Sequence, residues 1–282
     1  MYLATANVDL HCHSTVSDGV LAPSAVAERA RAQGVEVWAL TDHDEVGGLD
    51  QARSTAHDLG MQFINGVEIS VTWAQKTIHI VGLNFDADNV QLRDGLAKTR
   101  SGRQRRAEDM SADLARVGIP NCYEGALKYV GNPDLISRAH FARYLVEIGV
   151  CPDVSSVFKS YLTEGHPGFV PHRWATLAEA LKWITQAGGS AIVAHPGRYD
   201  LDLLKADVFF NEFKSLGGVG IEVVTGSHTP DQYEEYAKIA KQYNFLASRG
   251  SDFHAVEKGM LDLGQLPSLP KDLTPVWVTW TA

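Results

Sequence analysis

Three cysteines in 282 residues, scattered at positions 12, 122 and 151 with no C-x-x-C pair, exclude a disulfide framework and a thiolate zinc site. Long apolar runs are missing as well. No stretch approaches the roughly 18 residues of a membrane span, and positions 1–6 lack a signal-peptide pattern, so no membrane association and a cytoplasmic location are expected. Positive charge is short: 25 Lys and Arg against 34 Asp and Glu leave a formal charge of −9, which disfavours duplex nucleic acid. A small phosphorylated nucleotide held by a few local arginines remains compatible with that balance. Internal repeats and low-complexity segments are absent too. What the chain does have is 45% hydrophobic residues, enough for a large core, and 11 histidines whose placement matters more than their number.

The first strand is expected over 7–14, and it carries His11 and His13 two residues apart, hence on one face. A helix over 23–33, with Pro23 at its start and Gly34 past its end, leads to a strand over 35–40 that runs into Asp42 and His43. A second helix ends near Gly60. Strands over 62–70 and 77–84 follow, with Glu68 and His79 in them. The alternation then breaks. From 90 to 171 the pattern is helical: one long helix over 92–117, another over 137–148 with Ser137 as N-cap. Alternation resumes with a capping box at Thr176 and Glu179 and helices over 176–187, 201–216 and 230–243. Strands are expected over 190–194, 219–225, 245–250 and 276–281. About seven strand–helix units predict an α/β barrel with a mostly parallel sheet, spanning 1–89 and 172–282, with 90–171 as a helical insertion folded over one end.

His11, His13, Asp42, His43, Glu68, His79, His195, Asp252 and His254 all fall within or at the ends of these strands, where a barrel converges its polar side chains on one mouth. Each has an ordinary alternative. A single histidine can be a hydrogen-bonded core residue, Asp42 can cap a helix, and Asp252 can start a turn. Six histidines and several carboxylates on one rim make that set of coincidences improbable. Imidazoles and carboxylates without thiolate suit zinc, manganese or iron, and adjoining divalent ions suit phosphoester hydrolysis.

Asp9 to Ser14, Thr41 to Asp44, Glu68, His79, Ala194-His195-Pro196 and Gly250 to His254 together resemble the motif set of the PHP (polymerase and histidinol phosphatase) family. The resemblance implies a distorted (β/α)7 barrel with two or three divalent ions, manganese first and zinc or iron as alternatives. It implies His11, His13, Glu68 and Asp252 for one ion, Glu68, His79 and His195 for a second, and Asp18, His43 and His254 for a third. Ser137-Arg138-Ala139-His140 resembles the S-R-x-H helix start of members that act on nucleotides, including nucleoside 3',5'-bisphosphate phosphatases and a 5'-to-3' exoribonuclease. A helix N-terminus with Arg and His in its first turn is also a ready anion site on physical grounds.

Arg103 occupies an apolar-stripe position with Leu96, Met110 and Val117, so it either snorkels to solvent or points at substrate. Arg198 lies just past His195 and near the rim. The expected activity is removal of the 3'-phosphate from a nucleoside 3',5'-bisphosphate. Asp252 is expected to orient or deprotonate water, His140 or His254 to protonate the leaving oxygen, and Ser137, Arg138, His140, Arg198 and Arg103 to contact substrate. Short RNA is the second substrate class, for which Tyr123, Tyr129, Phe141 and Tyr144 are candidate stacking residues. Histidinol phosphate ranks third, and a silent metal-binding module that recognises a nucleotide is the non-enzymatic alternative.

Overall fold

Seven strands follow one another around a nearly closed barrel in a computed structural model that describes residues 6–256 and 261–280. They are β1 Val8–Asp9, β2 Val37–Leu40, β3 Gln62–Trp73, β4 Lys76–Leu83, β5 Ser190–Val193, β6 Gly220–Thr225 and β7 Leu246–Gly250. The helices α1 Pro23–Ala32 and α2 Leu49–Asp58 cross between β1, β2 and β3. Between β4 and β5 the chain forms α3 Val90–Arg100, α4 Arg103–Arg116, α5 Cys122–Leu127, α6 Arg138–Glu147, α7 Val154–Val157, a π turn at Phe158–Leu162, and then α8 Leu177–Gln186. The helices α9 Leu203–Ser215 and α10 Pro230–Tyr243 complete the crossovers. The barrel closes beyond β7, where Leu10 N–H donates to Arg249 O (3.0 Å) and Asp252 N–H to His11 O (2.8 Å).

Burial follows this layering. Val8, Leu10, Val37, Ala39, Ile64, Val81, Leu83, Ile192 and Ala194 fill the barrel interior, as inward-facing strand positions should. Trp38, Leu40, Val67, Ile69 and Ile80 face outward and pack under the helices. The insertion has an apolar cluster of its own around Met110, Leu114, Phe141, Leu145 and Leu162. Buried side chains on both faces of the sheet explain why these strands read as continuous apolar runs in the sequence.

The expected mostly parallel sheet is found, with one strand as the exception and three other expectations to correct. The strand β4 pairs antiparallel with both β3 and β5. The cause is local: Ala74 and Gln75 both have positive φ, 45° and 64°, and turn β3 straight back into β4 as a two-residue hairpin. The first strand is shorter than 7–14. Only Val8 and Asp9 pair regularly, and Cys12 makes an isolated bridge to Phe253. The long helix over 92–117 is broken at Ser101 and Gly102, where a Cβ on Gly102 would meet the His172 ring at 2.3 Å. Leu96, Arg103 and Met110 stay buried across the break, while Val117 is exposed past the end of α4. The strand expected over 276–281 is a 3-10 turn at Val276–Thr279, and Thr281 lies outside the described residues. Pro275 has no N–H to give a ladder, and Val276, Trp277 and Trp280 plug the barrel floor from one side of that turn.

Gly250 is the closest approach of β7 to the first strand: an added Cβ would lie 2.3 Å from His11 Cβ and 2.7 Å from its backbone nitrogen. Gly250→Ala is expected to lower stability by about 1–3 kcal/mol through overpacking. Urea unfolding followed by circular dichroism measures it, and an unchanged midpoint contradicts this packing.

Candidate metal centre

Glu68 stands near the middle of the long strand β3 with its carboxylate fully buried, and five imidazoles surround it. His79 Nδ1 and His195 Nε2 approach Oε1 at 2.8 and 2.9 Å, and His43 Nδ1, His13 Nε2 and His11 Nε2 approach Oε2 at 3.0, 3.2 and 3.3 Å. His79 reaches the group from the antiparallel strand β4, not from the end of a parallel one. Asp252 Oδ1 lies 3.3 Å from His13 and 3.5 Å from His11. On the outer side, Asp18 faces His254 Nε2 at 3.3 Å, His13 Nδ1 at 3.8 Å and His43 Nε2 at 3.9 Å. Ligand atoms therefore gather in three overlapping groups: His11, His13, Glu68 and Asp252; His43, Glu68 and His79; and His13, Asp18, His43 and His254. These groups contain eight of the nine expected residues, His11, His13, Asp18, His43, Glu68, His79, Asp252 and His254; the ninth, His195, falls in none of the three but meets Glu68 Oε1 at 2.9 Å.

These groups fit divalent ions on a specific observation. Buried atoms of the cluster, among them Glu68 Oε2, Asp252 Oδ1, Asp18 Oδ1 and the Nδ1 atoms of His13, His43 and His79, lack a hydrogen-bond partner although polar neighbours stand close by. Buried polar atoms without partners are costly. Lone pairs that face a shared point instead of a donor are what a cation satisfies.

The surrounding residues hold this arrangement. Glu222, buried in β6, accepts a hydrogen bond from His11 Nδ1 (2.8 Å) with one oxygen and from the His195 backbone N–H (2.6 Å) with the other. The first contact fixes the His11 tautomer, leaving the Nε2 lone pair for the cluster. The second steadies His195, whose φ of 25° is unusual for a non-glycine residue; Asp44 and Asp252 are also at positive φ, 51° and 56°. Asp42 accepts from Ser14 and Ser17 and organises the loop that carries Asp18. Asp44 takes Ser70 N–H and Oγ–H and an ion pair from Arg103, while Arg100 donates to its carbonyl at 2.5 Å. Sequence reasoning missed Glu222, although a lone carboxylate in the apolar run 220–225 was a signal for it.

Electrostatics follow the same geometry. Burial opposes charge on His13, but the Asp252 and Glu68 carboxylates beside it outweigh it and lift its pKa from 6.5 to about 10. Burial is likewise overcome at His11 by Glu222, Glu68 and Asp252. The two Nε2 atoms lie 3.2 Å apart, so the pair shares its extra proton instead of holding one on each facing nitrogen. Burial would raise Glu68 and Asp252, yet the neighbouring histidines hold both well below the usual carboxylate range. His195 is pushed down to about 3 by burial and by Arg198.

Other expected site residues divide. Arg103 does not snorkel: it is buried, paired with Asp44, and stacked on Trp174 with its guanidinium 4.7 Å from the ring. Arg198 stands exposed at the mouth and donates to Asp252 Oδ2 at 3.0 Å. Ser137 caps α6 and donates to Asp18 Oδ2 at 3.2 Å. Arg138 lines the cavity in front of the cluster, together with Arg103, Arg106, Arg143 and Arg198. His140 does not line it. Its ring is fully buried, with Nδ1 accepting from Ser137 N–H at 2.9 Å and Nε2 without a hydrogen-bond partner. His254 Nδ1 donates to the Asp252 carbonyl at 2.9 Å, which leaves Nε2 as a lone pair toward Asp18. That tautomer suits a ligand better than a proton donor.

Residues 9–192 match the family model described as PHP domain. The chain is 47% identical over 272 residues to a "3',5'-nucleoside bisphosphate phosphatase" of Chromobacterium violaceum, covering 96% of this chain and 95% of that one. It is 42% identical over 273 residues to a "5'-3' exoribonuclease" of Haemophilus influenzae, covering 97% and 98%. Among solved structures it resembles an amidohydrolase of Chromobacterium violaceum with bound sulfate and no metal, at a TM-score of 0.94, 46% identity and coverage of 97% and 95%.

Two outcomes are expected. Glu222→Ala should weaken metal binding about 10- to 100-fold, since it frees His11 and His195 from their shared anchor; metal titration reads this, and wild-type affinity in the variant contradicts it. Because the folded-state value of His13 is raised, its contribution to the chelated protein is full below pH 6.5 and fades as pH rises toward about 10. The melting temperature of the chelated protein should therefore fall between pH 6.5 and 9. That of the metal-loaded protein should hold or rise, because ions replace those protons. Calorimetry of both forms tests this, and a chelated form that gains stability with pH contradicts it.

Proposed function

The chain belongs to the PHP domain family and is a metal-dependent phosphoester hydrolase, and on that premise we propose that it removes the 3'-phosphate from nucleoside 3',5'-bisphosphates. The observation that carries this reading is a cavity of about 430 Å³ lined by two unlike groups of residues. One is the imidazole and carboxylate cluster around Glu68. In the other, Arg106 and Arg138 are held by backbone carbonyls, Val170 O at 2.9 Å and Leu162 O at 3.1 Å, and among the described residues neither forms an ion pair. Burial, reinforced by the neighbouring guanidinium groups, pushes Arg106 down to about 9 and Arg138 to about 10. Two guanidinium groups without an ion-pair partner favour an anion. A substrate with two phosphates on one nucleoside suits the arginines and the cluster together.

Two or three divalent ions, with manganese as first choice, would be held by His11, His13, Glu68 and Asp252, by Glu68, His79 and His195, and by Asp18, His43 and His254. When bound, such ions supply Lewis acidity and a nucleophile at neutral pH. Asp252 orients the attacking water, and Arg198, already paired with Asp252, meets the charge that grows on the phosphoryl oxygens. Arg138 and Arg106 hold the 5'-phosphate and so bring the 3'-phosphate to the cluster. Arg103, committed to Asp44, positions the cavity wall from behind. Residues 90–171 act as the substrate-binding cap.

Short RNA is the second reading, supported by the similarity to the exoribonuclease. Geometry favours the single nucleotide. Phe141 is buried in the insertion's own cluster, and Tyr123, Tyr129 and Tyr144 do not line the cavity, so a stacking track for several bases is lacking among the described residues.

Phosphate release from 3'-phosphoadenosine 5'-phosphate, with AMP and a short 5'-phosphorylated RNA in parallel, tests the reading in manganese, magnesium and zinc. Release from the bisphosphate to leave AMP, lost in His195→Ala, is expected. Arg138→Ala should raise KM for the bisphosphate about tenfold or more through the lost charged contact. Stepwise mononucleotides from RNA, with the bisphosphate intact, would replace it with the exoribonuclease reading.

A further inference from the structure

Beyond its charged residues the cavity has an apolar wall on the insertion. Val154 in α7 and Phe158 in the π turn lie four residues apart, so they share one face, and both line the cavity beside Ala139 of α6. Phe158 is half-buried: part of its ring packs against the insertion's apolar cluster, and the rest borders the open space. Trp174 also lines the cavity, but three groups crowd its ring, Arg103 at 4.7 Å, Arg106 at 5.4 Å and His172 with its ring centroid 4.1 Å away, against the single guanidinium beside Phe158.

The π turn ties this wall to one of the arginines. Arg138 donates to the carbonyl of Leu162, the last residue of the turn, and its guanidinium lies 5.6 Å from the Phe158 ring. One irregular turn therefore sets both the aromatic ring and the cation. Such turns are rare and are found often at functional sites. A nucleoside 5'-phosphate carries its base and its phosphate on one sugar, so a cation fixed next to an aromatic ring suits the pair.

We infer that Phe158, backed by Val154 and Ala139, is a nucleobase subsite that binds by stacking and does not distinguish one base from another. The inference rests on the nucleotide reading above. Every base has a π-face, whereas discrimination needs donors and acceptors aimed at the base edge. Val154 and Ala139 supply neither. Arg138, the polar neighbour, is occupied by the Leu162 carbonyl and turned to the phosphate.

Calorimetric titration of the metal-loaded protein with AMP, GMP, UMP and ribose 5-phosphate tests the subsite. Each nucleotide is expected to bind about tenfold or more tightly than the abasic sugar phosphate, with little spread among bases. Phe158→Leu, which keeps an apolar side chain on the cluster but lacks a flat ring, should close that gap; Phe158→Trp should keep it. Loss of affinity for nucleotides and ribose 5-phosphate alike in Phe158→Leu would overturn the subsite, because the ring would then serve only to support Arg138. A wild-type protein without the gap, or with strong preference for one base, would overturn it too. If the gap holds while bisphosphates are not hydrolysed, the bisphosphatase reading fails and the subsite stands.

Discussion

A single buried carboxylate, Glu68, faces five imidazoles at 2.8–3.3 Å, and the rest of the molecule is arranged around the cost of that contact. Taking so many polar groups out of water is expensive unless each finds a partner. Without ions the cluster meets part of the cost by drawing a proton onto His11 and His13 and keeping Glu68 and Asp252 ionised. Several lone pairs remain unmet even so. The barrel supplies the rigidity that keeps them converged: strands β3 and β4 and the exits of β1, β2, β5 and β7 each deliver one or more of these side chains from a different direction.

Carboxylates behind the cluster connect it to the insertion. Asp44 anchors both α3 and α4 through Arg100 and Arg103, two residues of sheet register away from Glu68 along Ser70. Asp18, on the outer edge, takes Ser137 Oγ with its side chain and Arg143 with its carbonyl. The helices after β4 are therefore pinned at two points to the residues that shape the site. That seating holds their arginines in place relative to the cluster, which suits a substrate with two phosphates.

Much of this was legible in the chain, because strand geometry turns spacing into direction. The two-residue spacing of His11 and His13, and the placement of His43, Glu68, His195 and Asp252 in or just after apolar runs, announced a shared rim. What stayed hidden depended on partners distant in sequence. Arg103 looks like an apolar-stripe outlier until Asp44 and Trp174 are seen beside it. The break at Ser101 and Gly102 answers to His172, some seventy residues on. His140 has the spacing of a substrate ligand, yet local capping turns its ring inward. The final apolar run satisfied a strand pattern and a barrel plug equally well, and it forms a 3-10 turn after Pro275.

Anomalous X-ray diffraction from manganese-soaked crystals tests the central claim most directly. At least two peaks are expected, each within coordination distance of a Glu68 oxygen and of the imidazoles that face it, at about 2.0–2.3 Å from their ligand atoms. Manganese bound elsewhere on the molecule, or an ordered cluster without ions at saturating metal, would contradict a fold built around that carboxylate as a metal bridge.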